Sequence, residues 1–315
     1  MKSENQTSDP QFHFQPFTTI PEMRWLIFWA FLILFLLSLF GNASIVFIIY
    51  TTRSLHTPMY FFLANLAFLE IAYSCTIAPL TLAHLASVRK ISISLVGCGT
   101  QLFFFTFLGG SDCVLLAIMA YDRYVSICHP LSYPVIMSWR MCVSLVVGTW
   151  TMNGLFGFQL SLLILTLPFC GNNVINNFFC DFPAVMKLAC GDIHVQQTAL
   201  FITSTVLLTL PFLLICTSYV FIAMAIIHIP SALGCQRAFS TCSSHLMVVL
   251  LQYGCGSLIY LRPSSSYSAE EGRVVSVFYT FVTPVLNPLI YSMRNKELKE
   301  AVHRSLRRIV LPQKK

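Results

Sequence analysis

Apolar residues run through this chain in long blocks, and the charged residues that interrupt them are spaced for a membrane. No charged side chain occurs between Arg24 and Arg53, Arg140 and Asp181, Asp192 and Arg237, Arg237 and Arg262, or Arg273 and Arg294. Two more blocks carry one acid each: Glu70 within Pro58 to Ser87, and Asp112 within Val96 to Tyr121. About 20 apolar residues cross a bilayer core as a helix, so the pattern predicts seven spanning helices. The fold class expected is an all-α, seven-transmembrane helix bundle. Its division is a 1–23 N-terminal segment, a 24–293 bundle, and a 294–315 tail. In the tail Leu298, Val302, Leu306 and Ile309 form an apolar stripe with Lys299, Arg304, Arg307 and Arg308 off it, predicting a short amphipathic helix on an anionic lipid surface.

Composition agrees. The chain is 56% hydrophobic and 10% charged, with a mean hydropathy of +0.73, whereas soluble domains carry about 25% charged residues. An odd span count puts the termini on opposite sides. On the N-terminal side seven basic residues face seven acids, and on the other twelve basic residues face three acids, a net +9. The positive-inside rule then makes the N-terminus extracellular and the C-terminus cytoplasmic in a plasma-membrane, multi-pass protein. The net charge of +7 therefore reports topology and gives no hint of nucleic-acid binding. Met1 to Pro21 does not resemble a cleaved signal peptide, so the first span is expected to direct insertion. Asn5-Gln6-Thr7 then forms an external glycosylation sequon, while Asn42-Ala43-Ser44 matches the same pattern inside a span.

Of twelve cysteines, Cys98, Cys170, Cys180 and Cys190 fall outside, where three pairings are open to them and an oxidising exterior favours disulfides. No Cys/His cluster suggests a transition-metal site.

The polar residues inside the spans carry the chemistry. Glu70 and Asp112 are costly in hydrocarbon unless paired, hydrated or neutralised. With Asn42, Ser111, Asn287 and Tyr291 they compose a network for a sodium ion or a proton, or a plain hydrogen-bond network without an ion. Asp122 and Arg123 end the third span, where they form a switch or a simple interfacial ion pair. Asn287-Pro288 with Tyr291, and Pro211 with Tyr219, each set a helix-weakening proline above a tyrosine near the same membrane face.

Five motifs, in order, resemble the signatures of the olfactory receptors within the rhodopsin-like G-protein-coupled class: Leu55-His-Thr-Pro-Met-Tyr-Phe-Phe-Leu63, Met119-Ala-Tyr-Asp-Arg-Tyr-Val-Ser-Ile-Cys128, Ser218-Tyr219, Arg237-Ala-Phe-Ser-Thr-Cys-Ser-Ser-His245 and Pro284-Val-Leu-Asn-Pro-Leu-Ile-Tyr-Ser-Met-Arg-Asn295. The resemblance implies a receptor for a small-molecule odorant, coupled to a heterotrimeric stimulatory G protein of olfactory type and cyclic AMP, and no enzyme. It implies bridges Cys98 to Cys180 and Cys170 to Cys190. It also makes Asp122, Arg123, Tyr124, Tyr219, Arg237, His245, Asn287, Pro288 and Tyr291 the switch and G-protein-facing set. Departures are Asn177 where the family often has His, Asp112 for Glu, Arg237 for Lys, Ala78-Pro-Leu-Thr81 for a Pro-Lys-Met run, and Gln252 for an aromatic.

Phe105 lies eighteen residues before Arg123, roughly 27 Å along a helix, a height suited to a pocket. Thr106, Gly109 and Gly110 share that level, with Thr203, Leu207, Gly256, Ser257, Tyr260, Phe278 and Tyr279 approaching from later spans. The two glycines either open space or permit close helix packing. The last span has no lysine for a retinal Schiff base, and Phe105 stands where amine-binding relatives carry an acid, so a neutral ligand is expected. A transporter would show internal repeats and broken midplane helices, which are absent from the sequence, and an enzyme would need a nucleophile and base at a recognisable spacing.

Overall fold

The computed structural model describes residues 11–87, 91–170, 173–228, 232–261 and 269–294. Asn5 and the amphipathic stripe beginning at Leu298 lie outside the described residues.

Seven helical segments form a bundle. The first, α1 (Pro21–Thr51), and the second, α2 (Pro58–Ala86), each open on a proline in the first turn, where the missing N–H has no helical partner to lose. Next, α3 (Leu95–Cys128) is N-capped by Ser94, whose Oγ accepts from the Gly97 N–H at 3.1 Å. A single turn, α4 (Tyr133–Ile136), precedes α5 (Trp139–Leu165). After the loop turn α6 (Phe182–Met186) come α7 (His194–Ile227) and α8 (Ala232–Tyr260). The last span is continuous but not uniform: α9 (Ala269–Val277), a π turn (Phe278–Val282) and α10 (Thr283–Arg294).

Among the described residues six of these segments are long and apolar enough to cross a membrane, and α8 contributes the shorter apolar stretch His245–Tyr260. At 29 residues α8 is roughly 44 Å long, so its polar start extends past the apolar zone. The charge-free interval from Arg237 to Arg262 thus located the sixth span and missed the helix's polar extension.

α3 is the axle. It packs against α2, α5, α7 and α8, and Leu115, Leu116, Ala117, Met119 and Ala120 are all buried, as expected of a helix apolar all round. The outer helices expose large apolar side chains such as Leu26, Phe40, Leu155, Leu210 and Leu250, surface that only lipid can cover favourably.

A small sheet, unforeseen in an all-α expectation, closes one end. Strand β1 (Gln11–Phe14) lies between β2 (Ser92–Ser94), antiparallel, and β3 (Val174–Ile175), parallel. Its signal is a period of two: Phe12 and Phe14 are buried while Gln11 and His13 alternate outward. Phe12 meets the edge of Phe169 at 5.0 Å. Disulfides Cys98–Cys180 and Cys170–Cys190, with Cα separations of 5.5 and 5.8 Å, in the range bridged cysteines span, tie the α5–α7 loop to α3 and to itself. Together they form a lid.

Candidate functional site

Beneath the lid the bundle encloses a cavity of about 100 Å³. From α3, Phe105, Thr106, Gly109, Gly110 and Cys113 form one wall. Thr203, Ser204, Leu207 and Leu208 of α7 form another, and Gln252, Gly256 and Tyr260 of α8 a third. Tyr73, Leu160, Leu200, Phe182 and Tyr279 complete it. The aromatic side is a cluster in which the Phe105 ring lies 5.7 Å from Tyr73, 5.5 Å from Phe179, 6.2 Å from Tyr260 and 5.9 Å from Tyr279. The lining contains hydroxyls, one amide and one thiol, and no Asp, Glu, Lys or Arg among the described residues.

The two glycines split the readings between them. A Cβ on Gly110 would collide with the Asn153 amide oxygen of α5, so Gly110 is there for close helix approach. A Cβ on Gly109 would meet only Tyr73, at 3.6 Å, an ordinary contact. Gly109 leaves space in the cavity.

Two expected lining residues do not join the set. Ser257 follows Gly256 and is therefore turned about 100° around α8, into a separate hollow between α7 and α8. Phe278 is 50% exposed, because the π turn that begins there inserts extra backbone and leaves Tyr279 facing inward. Tyr73, Cys113, Leu160, Phe182, Leu200, Ser204, Leu208 and Gln252 line the cavity and were not expected to. Of these only Gln252 carried a signal, as a polar residue in an aromatic's place.

The lid is latched to the cavity wall. Asp181, buried at the start of α6, accepts a hydrogen bond from the Tyr260 hydroxyl at 2.7 Å. Burial pushes the Asp181 carboxyl up to about 6, against the opposing pull of the Tyr260 hydroxyl and the Phe182 backbone N–H. Gln101 adds a second tie, its carbonyl accepting from the Cys180 N–H at 2.8 Å.

Below the cavity, Asn287 donates through Nδ2 to the Glu70 carboxylate. Asn42 donates to the carbonyls of Ser38 at 2.9 Å and Pro284 at 3.0 Å, joining α1 to α10. Pro288 packs against Gly41, where a Cβ would come within 3.0 Å of the ring. The Ser111 Oγ, one Asp112 carboxylate oxygen and the Asn287 amide oxygen are buried without a hydrogen-bond partner, and Asp112 lies within electrostatic reach of Glu70. Such oxygens fit a small hard cation. No group of three or more His, Cys, Asp or Glu side chains placed to hold a metal ion occurs among the described residues.

At the end remote from the lid, Asp122 and Arg123 lie within electrostatic reach of each other and contact different neighbours. The Asp122 carboxylate accepts from the Tyr133 hydroxyl of α4 at 2.9 Å. Arg123, 5% exposed, turns toward Tyr219 of α7 and Cys242 of α8. Tyr219 hydrogen-bonds the His245 Nδ1 at 2.9 Å, with the two rings stacked at 5.8 Å. Tyr291 lies within electrostatic reach of Arg123. Tyr124 stands apart, bonded to His129 at 3.0 Å. Arg237 falls in α8, with its side chain outside the described residues. Tyr133 is the residue here that no sequence pattern indicated.

The sequence model described as "Olfactory receptor" matches residues 31–308. Human olfactory receptor 10V1 is 59% identical over 98% of this chain and 100% of its own length. Human olfactory receptor 10Q1 is 53% identical over 96% of this chain and 95% of its own length.

Proposed function

The chain belongs to the olfactory receptor family, and from that membership we propose that it binds a small, neutral, volatile organic molecule in the cavity under the lid and activates a stimulatory G protein, raising cyclic AMP. Membership itself makes it an odorant-sensing, G-protein-coupled, multi-pass membrane protein that is not an enzyme.

The observation that carries the ligand class is the lining: apolar and aromatic, with scattered hydroxyls and no charge, the character of a site for a small uncharged ligand. Its size sets an upper bound. At ~10–15 Å³ per water-sized site, a cavity of about 100 Å³ holds on the order of eight such groups, the scale of a volatile molecule.

Activation is a population shift, because a ligand with equal affinity for two states shifts nothing. The cavity joins α3, α7, α8 and the π turn of the last span to the lid, so a ligand that draws these walls together favours one relative placement of α7 and α8. Those are the two helices whose Tyr219, Cys242 and His245 surround Arg123. Asp122, oriented by Tyr133, holds Arg123 in the resting state, and Arg123 is the group released to the G protein.

The charge bias of the connecting segments supports an extracellular lid, with Asn5 glycosylated outside and the basic tail on cytoplasmic lipid. Glu70, Asp112, Ser111 and Asn287 would hold a sodium ion, which would neutralise the carboxylates that burial makes costly.

A cyclic AMP reporter in cells expressing the receptor with an olfactory-type G protein, challenged with a broad odorant panel, tests the whole reading. The expected result is a response that Arg123→Ala abolishes and a raised baseline in Asp122→Asn at equal surface expression. A response surviving Arg123→Ala would overturn it.

A further inference from the structure

The cavity has two unequal boundaries. Toward the lid it is bounded by Phe182 and the buried aromatics behind it, under two disulfides, a three-stranded sheet and the Asp181–Tyr260 hydrogen bond. Toward the flank of the bundle the wall is thin. A second hollow of about 240 Å³ lies between α7 and α8, and Leu208 lines both spaces. Beside it stands Gly256, where even a Cβ would come within 3.1 Å of Leu208. The hollow's other residues are mostly apolar, and Phe212 at 38% and Leu250 at 67% exposure open it to the surface that faces lipid. Tyr253, the neighbouring part of the partition, is fixed by its hydroxyl donating to the Cys113 carbonyl at 2.7 Å.

We propose that the α7–α8 hollow is a lateral portal through which small apolar ligands pass from the bilayer into the cavity, with the Leu208 side chain as its shutter. The inference rests on the cavity being the ligand site. Three observations carry it. A neutral, apolar ligand of this size concentrates in hydrocarbon, since each buried CH₂ contributes about 0.8 kcal/mol, so its reservoir is the membrane. Entry past the lid requires breaking sheet pairing and aromatic packing held by covalent ties. Entry from the flank requires only a rotamer change of one leucine, a local side-chain motion that is fast beside lid opening.

Gly254 supplies the test. It lines the hollow and not the cavity, and a Cβ there meets nothing within 4 Å, so Gly254→Trp fills the portal while Gly254→Ala leaves it open. Cys113 is a buried free thiol on the cavity wall, and Cys216 an exposed free thiol on α7. The receptor in lipid nanodiscs is exposed to ethyl methanethiosulfonate, which partitions into bilayers, or to its membrane-impermeant trimethylammonium analogue, and modification of each cysteine is followed by mass spectrometry. The expected result is that Gly254→Trp slows reaction of the neutral reagent at Cys113 by about tenfold, equivalent to roughly 1.4 kcal/mol on the barrier. Cys216 should be unchanged, Gly254→Ala should behave as wild type, and the charged reagent should be slow throughout. Equal rates at Cys113 in Gly254→Trp and wild type would overturn the portal, as would a charged reagent as fast as the neutral one. None of these outcomes depends on signalling, so failure of the cyclic AMP assay is separable from failure here.

Discussion

Single residues set the terms on which the lid closes. The Asp181 carboxyl, pushed by burial from 3.8 to about 6 in the folded protein, binds a proton more readily when the lid is docked than when it is undocked. Docking is therefore strongest below pH 3.8, weakens as pH rises through about 6, and is level above that. With exchange corrected for its intrinsic base catalysis, raising pH from about 5 to about 7.5 should lower the protection of the Phe179 and Phe182 amides in the wild type and leave protection in Asp181→Asn nearly flat. A flat wild-type profile would mean that the Asp181–Tyr260 contact does not couple to docking. Residue-level reading of the sequence reached Asp181 only as the end of a charge-free interval. The contact links residues 79 apart in sequence, and no local period marks such a pair. Ser257 shows the converse: it is the right residue type at the right level, one step around the helix from the cavity.

Elements show where sequence patterns suffice. The helices were legible because charge-free intervals, prolines at first turns and the Ser94 cap all act locally. The contact between α3 and α5 was not, because it depends on which small residue faces which neighbour. Gly110→Val should lower the melting temperature and surface yield, as overpacking costs typically about 1–3 kcal/mol and the Asn153 amide occupies the space a side chain needs. Gly109→Ala should fold normally and lose the bulkiest of any active ligands, since its methyl group enters the cavity beside Tyr73. If both variants proved equally stable, the close approach at Gly110 would not hold the helices together. Strand β1 was missed because the N-terminal segment reads as polar overall, yet two alternating phenylalanines are enough to seat it.

At the scale of the molecule, the bundle joins two polar layers, one at Glu70 and one at Arg123, through α3 and α10. A sodium ion held by Glu70, Asp112, Ser111 and Asn287 would stabilise the state that binds it by mass action. The melting temperature in sodium chloride should then exceed that in choline chloride at equal ionic strength, with Glu70→Gln abolishing the difference and keeping the oxygen that Asn287 needs. Equal melting in both salts would remove the ion from the mechanism. Seven spans were legible from charge spacing alone and the lid's two bridges from the family resemblance, whereas the lid's sheet was not, because it is assembled from three distant stretches. The π turn at Phe278–Val282 separates these layers from the cavity in one further respect. It shifts the phase of the last span by an inserted residue, so that positions above it and below it are counted from different origins. A gapless alignment to a receptor whose last span lacks the turn will match Asn287, Pro288 and Tyr291 correctly while exchanging inward and outward positions above Phe278. Ligand preferences transferred along such an alignment would be assigned to side chains that face lipid.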